Sequence, residues 1–125
     1  MSVLIDTSVW VAHFRSRNDA LAELVEADWA LTHPMVVVEL ACGTPPAPRA
    51  QTLDDIGFLR SCNQATLREV RDFIERERLY GSGCGLVDMS LLASTLITPG
   101  ARIWTLDKSL SDTAERFDVT YQLPH

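Results

Sequence analysis

Ser2-Val3-Leu4-Ile5-Asp6-Thr7-Ser8-Val9-Trp10 is the stretch from which the fold can be read. A short apolar run without polar alternation reads as a strand buried on both faces, the pattern of a parallel sheet. The run stops at a carboxylate, and Thr7 or Ser8 then caps a helix through Phe14. The same order, strand then acid, returns near the other end of the chain: Arg102-Ile103-Trp104-Thr105-Leu106 is a strand ending at Asp107, followed by a short helix over 109–117. Strands placed at 2–5, 29–32, 102–106 and 119–121 are separated by helical segments. Asp19 caps the second helix, with Leu21, Leu24 and Val25 on one face. Pro34 opens the third, which runs to Gly43. Further helices are expected over 48–60, 66–79 and 86–97. Strands joined through helices pair in parallel with right-handed crossovers. The expectation is an α/β fold: a three-layer α/β/α sandwich with a small parallel sheet, in a single domain over 1–125. In such sheets the working site lies at the carboxyl ends of the strands.

Composition bounds the function. The chain has 125 residues, 46% hydrophobic and 22% charged, which excludes a disordered tail, a collagen-like fibre and a coiled coil. No stretch approaches the about 20 apolar residues of a spanning helix, and no basic n-region or signal cleavage pattern opens the chain. The reading is a cytoplasmic protein without membrane association. Three cysteines, Cys42, Cys62 and Cys84, lack CxxC spacing; they read as reduced thiols, two of them in the core, and not as a zinc site. The net charge of −6 argues against binding nucleic acid through a broad basic face. Ten of the eleven basic residues are arginine, the better partner for phosphate and carboxylate.

Four acids interrupt apolar surroundings: Asp6 after Val3-Leu4-Ile5, Glu39 within Met35-Val36-Val37-Val38-Glu39-Leu40-Ala41, Asp88 within Leu86-Val87-Asp88-Met89-Ser90-Leu91-Leu92, and Asp107 after Ile103-Trp104-Thr105-Leu106. Acids are rarely buried without a partner. Asp6 and Asp107 each have a plain alternative as helix caps, and Asp88 as an anion near a helix start. Glu39 has neither cap nor cation to explain it. By contrast, Glu69, Asp72, Glu75 and Glu77 alternate with Arg68, Arg71, Arg76 and Arg78 as a solvated helix face. Two carboxylates about 4 Å apart repel by about 4 kcal/mol at an effective dielectric of about 20, so a converging set needs a cation. All-oxygen ligation suits Mg²⁺ or Mn²⁺, and such an ion suits phosphoryl chemistry. Aspartyl-phosphate, phospho-receiver, P-loop and nucleophile-elbow patterns fail on spacing.

These blocks, in this order and covering about residues 2–121, resemble the PIN-domain family, and most closely its VapC-type ribonuclease toxins from bacterial toxin–antitoxin pairs. The resemblance implies a Mg²⁺-dependent endoribonuclease, with Mn²⁺ able to substitute, acting on RNA. Carried over by position, Asp6, Glu39, Asp88 and Asp107 are its catalytic acids. Asp6, Asp88 and Asp107 would bind or orient the metal, Glu39 would position or deprotonate the attacking water, and Ser8 would support the site by a hydrogen bond. The family also implies a homodimer inhibited by a small VapB-like antitoxin. Arg49, Arg60, Arg68 and Arg71 are candidates to meet the substrate or antitoxin acids. Trp10 and Phe14, at helical spacing, suit packing better than base stacking. Two other readings stand beside this one: a PIN-like module that only binds partners, and a DNA- or structure-specific nuclease with the same metal chemistry.

Overall fold

The computed structural model describes residues 1–123. Four strands form one parallel sheet: β1 (Ser2–Ile5), β2 (Ala30–Thr32), β3 (Arg60–Ser61) and β4 (Ala101–Trp104), in the order β3-β2-β1-β4. Seven helices accompany them among the described residues: α1 (Thr7–Arg15), α2 (Asp19–Glu26), α3 (Pro34–Ala41), α4 (Arg49–Gly57), α5 (Leu67–Glu77), α6 (Leu86–Leu96) and α7 (Lys108–Glu115). None is long and apolar enough to cross a membrane.

The topology fixes the layers. The crossovers β1–α1–α2–β2 and β2–α3–α4–β3 step the same way along the sheet, so right-handedness places their helices on one face. The connection through α5 and α6 steps back to β4 and covers the other face. Packing agrees, with α1 on α3 and α3 on α4, and with α5 and α7 on α6. The expected α/β/α arrangement with a small parallel sheet is therefore the one found. Strand β1 is central, flanked by β2 and β4 and covered on both sides, which is why Val3, Leu4 and Ile5 are all fully buried. Helix α6 explains its own apolar run in the same way: every residue from Met89 to Thr95 is buried.

Several boundaries differ from the sequence reading, each for a local reason. The helix expected over 48–60 ends at Gly57, and Arg60–Ser61 is an edge strand two residues long; so short a strand has no periodicity to read. The last strand, 119–121, is a single parallel bridge from Thr120 to Ile103. Strand β4 stops at Trp104, two residues early, because Thr105 and Leu106 leave the sheet to serve the acidic edge. Asn18 rather than Asp19 caps α2, its side chain accepting from the Leu21 N–H at 3.1 Å. Of the cysteines, only Cys62 is buried; Cys84 is half-buried and Cys42 exposed. Burial pushes the Cys62 thiol up to about 11, so it is a packing residue.

Leu91 has no exposed surface and sits at the centre of the α6 layer, whereas Leu67 at the start of α5 is 64% exposed. Leu91→Ala should lower unfolding stability by about 2–5 kcal/mol through lost transfer energy and the cavity left behind. Leu67→Ala should stay within about 0.5 kcal/mol of wild type. Chemical denaturation with a common m-value checks both.

Candidate active site

Parallel pairing carries the site. Ile5 pairs with Trp104 in register, so the residues that follow each, Asp6 and Thr105, emerge side by side at the carboxyl edge of the sheet. Asp6 is 4% exposed and held from every side. Its N–H donates to the Trp104 carbonyl at 3.0 Å, and its carbonyl accepts from the Val9 and Trp10 N–H groups opening α1. Its Oδ2 accepts from the Ser8 hydroxyl at 2.6 Å, the Thr105 hydroxyl at 2.7 Å and, more weakly, the Ser8 N–H at 3.4 Å. Oδ1 accepts none of these bonds. One oxygen is thus saturated by hydroxyls and the other left for a ligand. The cap of α1 is Asp6 itself, not Thr7 or Ser8.

The two hydroxyls also reach across to the second acid. Ser8 Oγ accepts from the Leu106 N–H at 3.0 Å, and Thr105 Oγ1 accepts from the Asp107 N–H at 3.0 Å. Asp107 in turn caps α7, its Oδ1 accepting from the Leu110 N–H at 2.8 Å. Ser8 thus joins Asp6 to the backbone of Leu106 through one hydroxyl. Thr105 is its equal, and sequence reasoning passed over it as one more strand residue. Its one local mark, a hydroxyl directly after an apolar strand and two residues before an acid, points to the Asp107 N–H and not to Asp6.

Asp88 and Glu39 arrive from opposite helical layers. Asp88 lies in the first turn of α6, half-buried. Its carboxyl is pushed above 3.8, first by desolvation, then by the charges of Asp107, Asp6 and, most weakly, Glu39, with the Gly85 backbone N–H pulling the other way. The other three predicted acids thus each push the Asp88 carboxyl the same way, Glu39 least. Glu39 lies on α3, which His33 caps by accepting from the Met35 N–H at 3.0 Å. Burial of Val36 and Leu40 turns Glu39 outward, so it is exposed although its sequence neighbours are apolar. Its Oε1 accepts from the Thr7 hydroxyl at 2.7 Å. Asp107 is exposed too, so of the four only Asp6 is buried.

Among the described residues, no three His, Cys, Asp or Glu side chains are drawn around one point. The donors nevertheless fit a hard dication: they are all oxygen, Asp6 offers a fixed and uncommitted Oδ1, and the repulsion felt at Asp88 is what a cation would relieve.

The candidate arginines do not gather here. Arg60 lies at the amino edge of the sheet, where it bonds the Asp28 carbonyl at 2.7 Å, the Ser2 hydroxyl at 3.4 Å and the Asp28 carboxylate at 3.4 Å. Arg49 donates to the Ala41 and Gly43 carbonyls and pins the loop after α3. Arg68 and Arg71 are exposed on α5, with no ion pair among the described residues. Trp10 is buried in the core beside His13 and Phe14, which makes it a packing residue, whereas Phe14 is only half-buried and lines a groove with Pro45 and Pro46.

Comparison with known proteins agrees with this arrangement. The profile of the PIN domain matches residues 3–116. Over 108 residues the chain is 43% identical to ribonuclease VapC32 of Mycobacterium tuberculosis, from strains CDC 1551/Oshkosh and ATCC 25618/H37Rv, with 86% of each chain covered. A parallel sheet that delivers acids to its carboxyl edge, a family profile spanning all four, and this identity over most of both chains together make the protein a member of the PIN-domain family, related to the VapC-type ribonucleases.

Proposed function

We propose that this chain is a Mg²⁺-dependent endoribonuclease of the VapC type, the toxin of a toxin–antitoxin pair, hydrolysing RNA phosphodiesters. The observation that carries the reading is the carboxyl edge of the sheet, where the Ser8 and Thr105 hydroxyls fix Asp6 and bond the backbone that carries Asp107. Kinship with a ribonuclease supports the substrate class. The partners proposed are an RNA substrate, a small VapB-like antitoxin and a second copy of the chain.

In this mechanism Asp6, Asp88 and Asp107 would hold Mg²⁺, or Mn²⁺ in its place, which when bound would supply Lewis-acid polarisation of the phosphate and a water of lowered pKa. Asp6 is the rigid member, since both hydroxyls on Oδ2 fix the direction in which Oδ1 points. Glu39 is the proton acceptor: Thr7 engages Oε1, and Oε2 stays available to take the proton of the attacking water. Thr105 and Ser8 are positioning residues, because they act through Asp6 and the backbone of Asp107 and Leu106.

Purified protein, free of antitoxin, should cleave single-stranded RNA with Mg²⁺ or Mn²⁺ and leave the matching DNA intact, as read on denaturing gels. EDTA should stop cleavage, and Asp88→Asn should remove most of it. Equal cleavage in EDTA would overturn the metal mechanism.

Thr105→Val keeps the shape but removes a donor to Asp6 and the acceptor of the Asp107 N–H. It should cost about 1–3 kcal/mol of stability. It should also lower kcat more than it raises KM, and weaken Mn²⁺ binding in a titration, with Thr105→Ser recovering most of both. A Thr105→Val protein with normal Mn²⁺ affinity would reduce the residue to structure alone.

The raised pKa of Asp88 has a defined sign. Below 3.8 the folded and unfolded chains both keep the proton. As pH rises, the unfolded chain releases it first and the folded chain only at its higher value. Stability is lost across that window, and the full penalty stands at neutral pH. In EDTA at pH 7, Asp88→Asn should therefore melt at or above wild type, with the gap closing as pH falls through the window. Mn²⁺ should raise the wild-type Tm, because only the folded chain assembles the ligands, and should raise the mutant's far less. A mutant melting several degrees lower in EDTA, beside a wild type indifferent to Mn²⁺, would make Asp88 an ordinary structural acid.

A further inference from the structure

Beside the acidic edge lies a groove of about 510 Å³. Its apolar lining includes Val11 and Phe14 of α1 and Pro45 and Pro46 of the loop after α3; Glu39 stands at its wall and Arg15 at its rim. The loop wall is held in place. Arg49 donates to the Gly43 carbonyl at 2.9 Å and to that of Ala41, and Thr52 Oγ1 donates to the Pro46 carbonyl at 2.8 Å. Arg15 is exposed and makes no ion pair among the described residues.

We propose that this groove is the base-specificity subsite of the nuclease: it takes one unstacked nucleobase next to the scissile phosphate, against Phe14 and the Pro45-Pro46 wall, while Arg15 takes a neighbouring phosphate. The inference rests on the ribonuclease reading. Four observations favour a nucleotide. Glu39 lines the groove and accepts from the hydroxyl of Thr7, next to Asp6 in the chain, so a strand whose phosphate reaches the acids has this groove beside it for an adjacent nucleotide. The volume lies in the range of small-ligand sites, whereas a docked helix is about 10–12 Å across. An aromatic ring and two prolines lining one groove supply the apolar surfaces on which a base stacks. Lastly, Arg15 gives an acidic protein a local cation where the backbone of a bound strand would pass, and the planar guanidinium suits phosphate. Sequence preference is then set here, since the acids contact only the phosphodiester.

The test uses the full chain with Mg²⁺ and a synthetic single-stranded RNA decamer pool, randomised at its central positions, with cleavage sites mapped by sequencing. The same decamers, labelled, are bound to Asp88→Asn protein and followed by fluorescence anisotropy. Wild type should show a strong base preference at one position flanking the cut. Phe14→Ala and Phe14→Leu should relax that preference by about tenfold, the scale of one lost stacking contact. Arg15→Gln, at an exposed position, should weaken binding in the Asp88→Asn background and flatten its salt dependence, whether or not the Phe14 variants fold. An unchanged cleavage pattern with unchanged RNA affinity overturns the subsite while leaving the nuclease standing, and assigns the groove to a protein partner. RNA left uncut by wild type with either metal overturns the ribonuclease reading and the subsite with it.

Discussion

The carboxylate of Asp6 is the fixed point of this molecule. It is the buried acid of the four, and an ionised carboxylate out of water must be compensated by donors. Compensation comes from two hydroxyls, Ser8 and Thr105, which converge on a single oxygen. Ser8 belongs to the start of α1 and Thr105 to the end of β4, 97 positions further along the chain. The same hydroxyls accept from the backbone of Leu106 and Asp107. Solvation of one charge thereby fastens together the two strand-to-helix turns on which the acidic edge is built.

Capping and site formation use the same side chains. Asp6 caps α1 and Asp107 caps α7, while Asp88 occupies the first turn of α6. Each acid therefore sits where a helix N-terminus favours negative charge. The helix dipoles and caps stabilise individual carboxylates that their mutual repulsion would otherwise disfavour. At Asp88 the balance still tips toward the proton, since desolvation and three like charges outweigh the backbone N–H of Gly85. The caps and first turns that stabilise these acids singly are therefore also what bring them to the carboxyl edge.

Electrostatics also constrains how a polyanion could approach. The net charge is −6, and the edge itself is acidic. Arg60 is spent at the opposite edge of the sheet and Arg49 on loop carbonyls. On the proposed nuclease reading, attraction would come from an ion among the acids and from arginines with no ion pair among the described residues, such as Arg15 at the adjoining groove. Association should depend on local charge and not on a general basic field.

The sequence by itself determined the fold class and the identity of the acids. Apolar runs such as Val3-Leu4-Ile5, and Met89-Ser90-Leu91-Leu92 with its single small hydroxyl, encode burial on all sides, and helices between strands leave only parallel pairing. Acids closing those runs mark the carboxyl edge, so Asp6 and Asp107 were legible from local pattern. Asp88 and Glu39 stood out against apolar neighbours, although Glu39 proved exposed, because one helix turn alternates inward and outward positions that a linear reading merges. Tertiary structure alone decided the rest. Strand β3 is two residues long and exists only because β2 lies beside it. Arg60 was turned from a candidate contact into an amino-edge clamp by sheet order. Thr105 gained its meaning from Asp6, a residue 99 positions away that only the β1–β4 register brings within 2.7 Å. Contacts of that separation are set by topology, and no local pattern in a single chain records them.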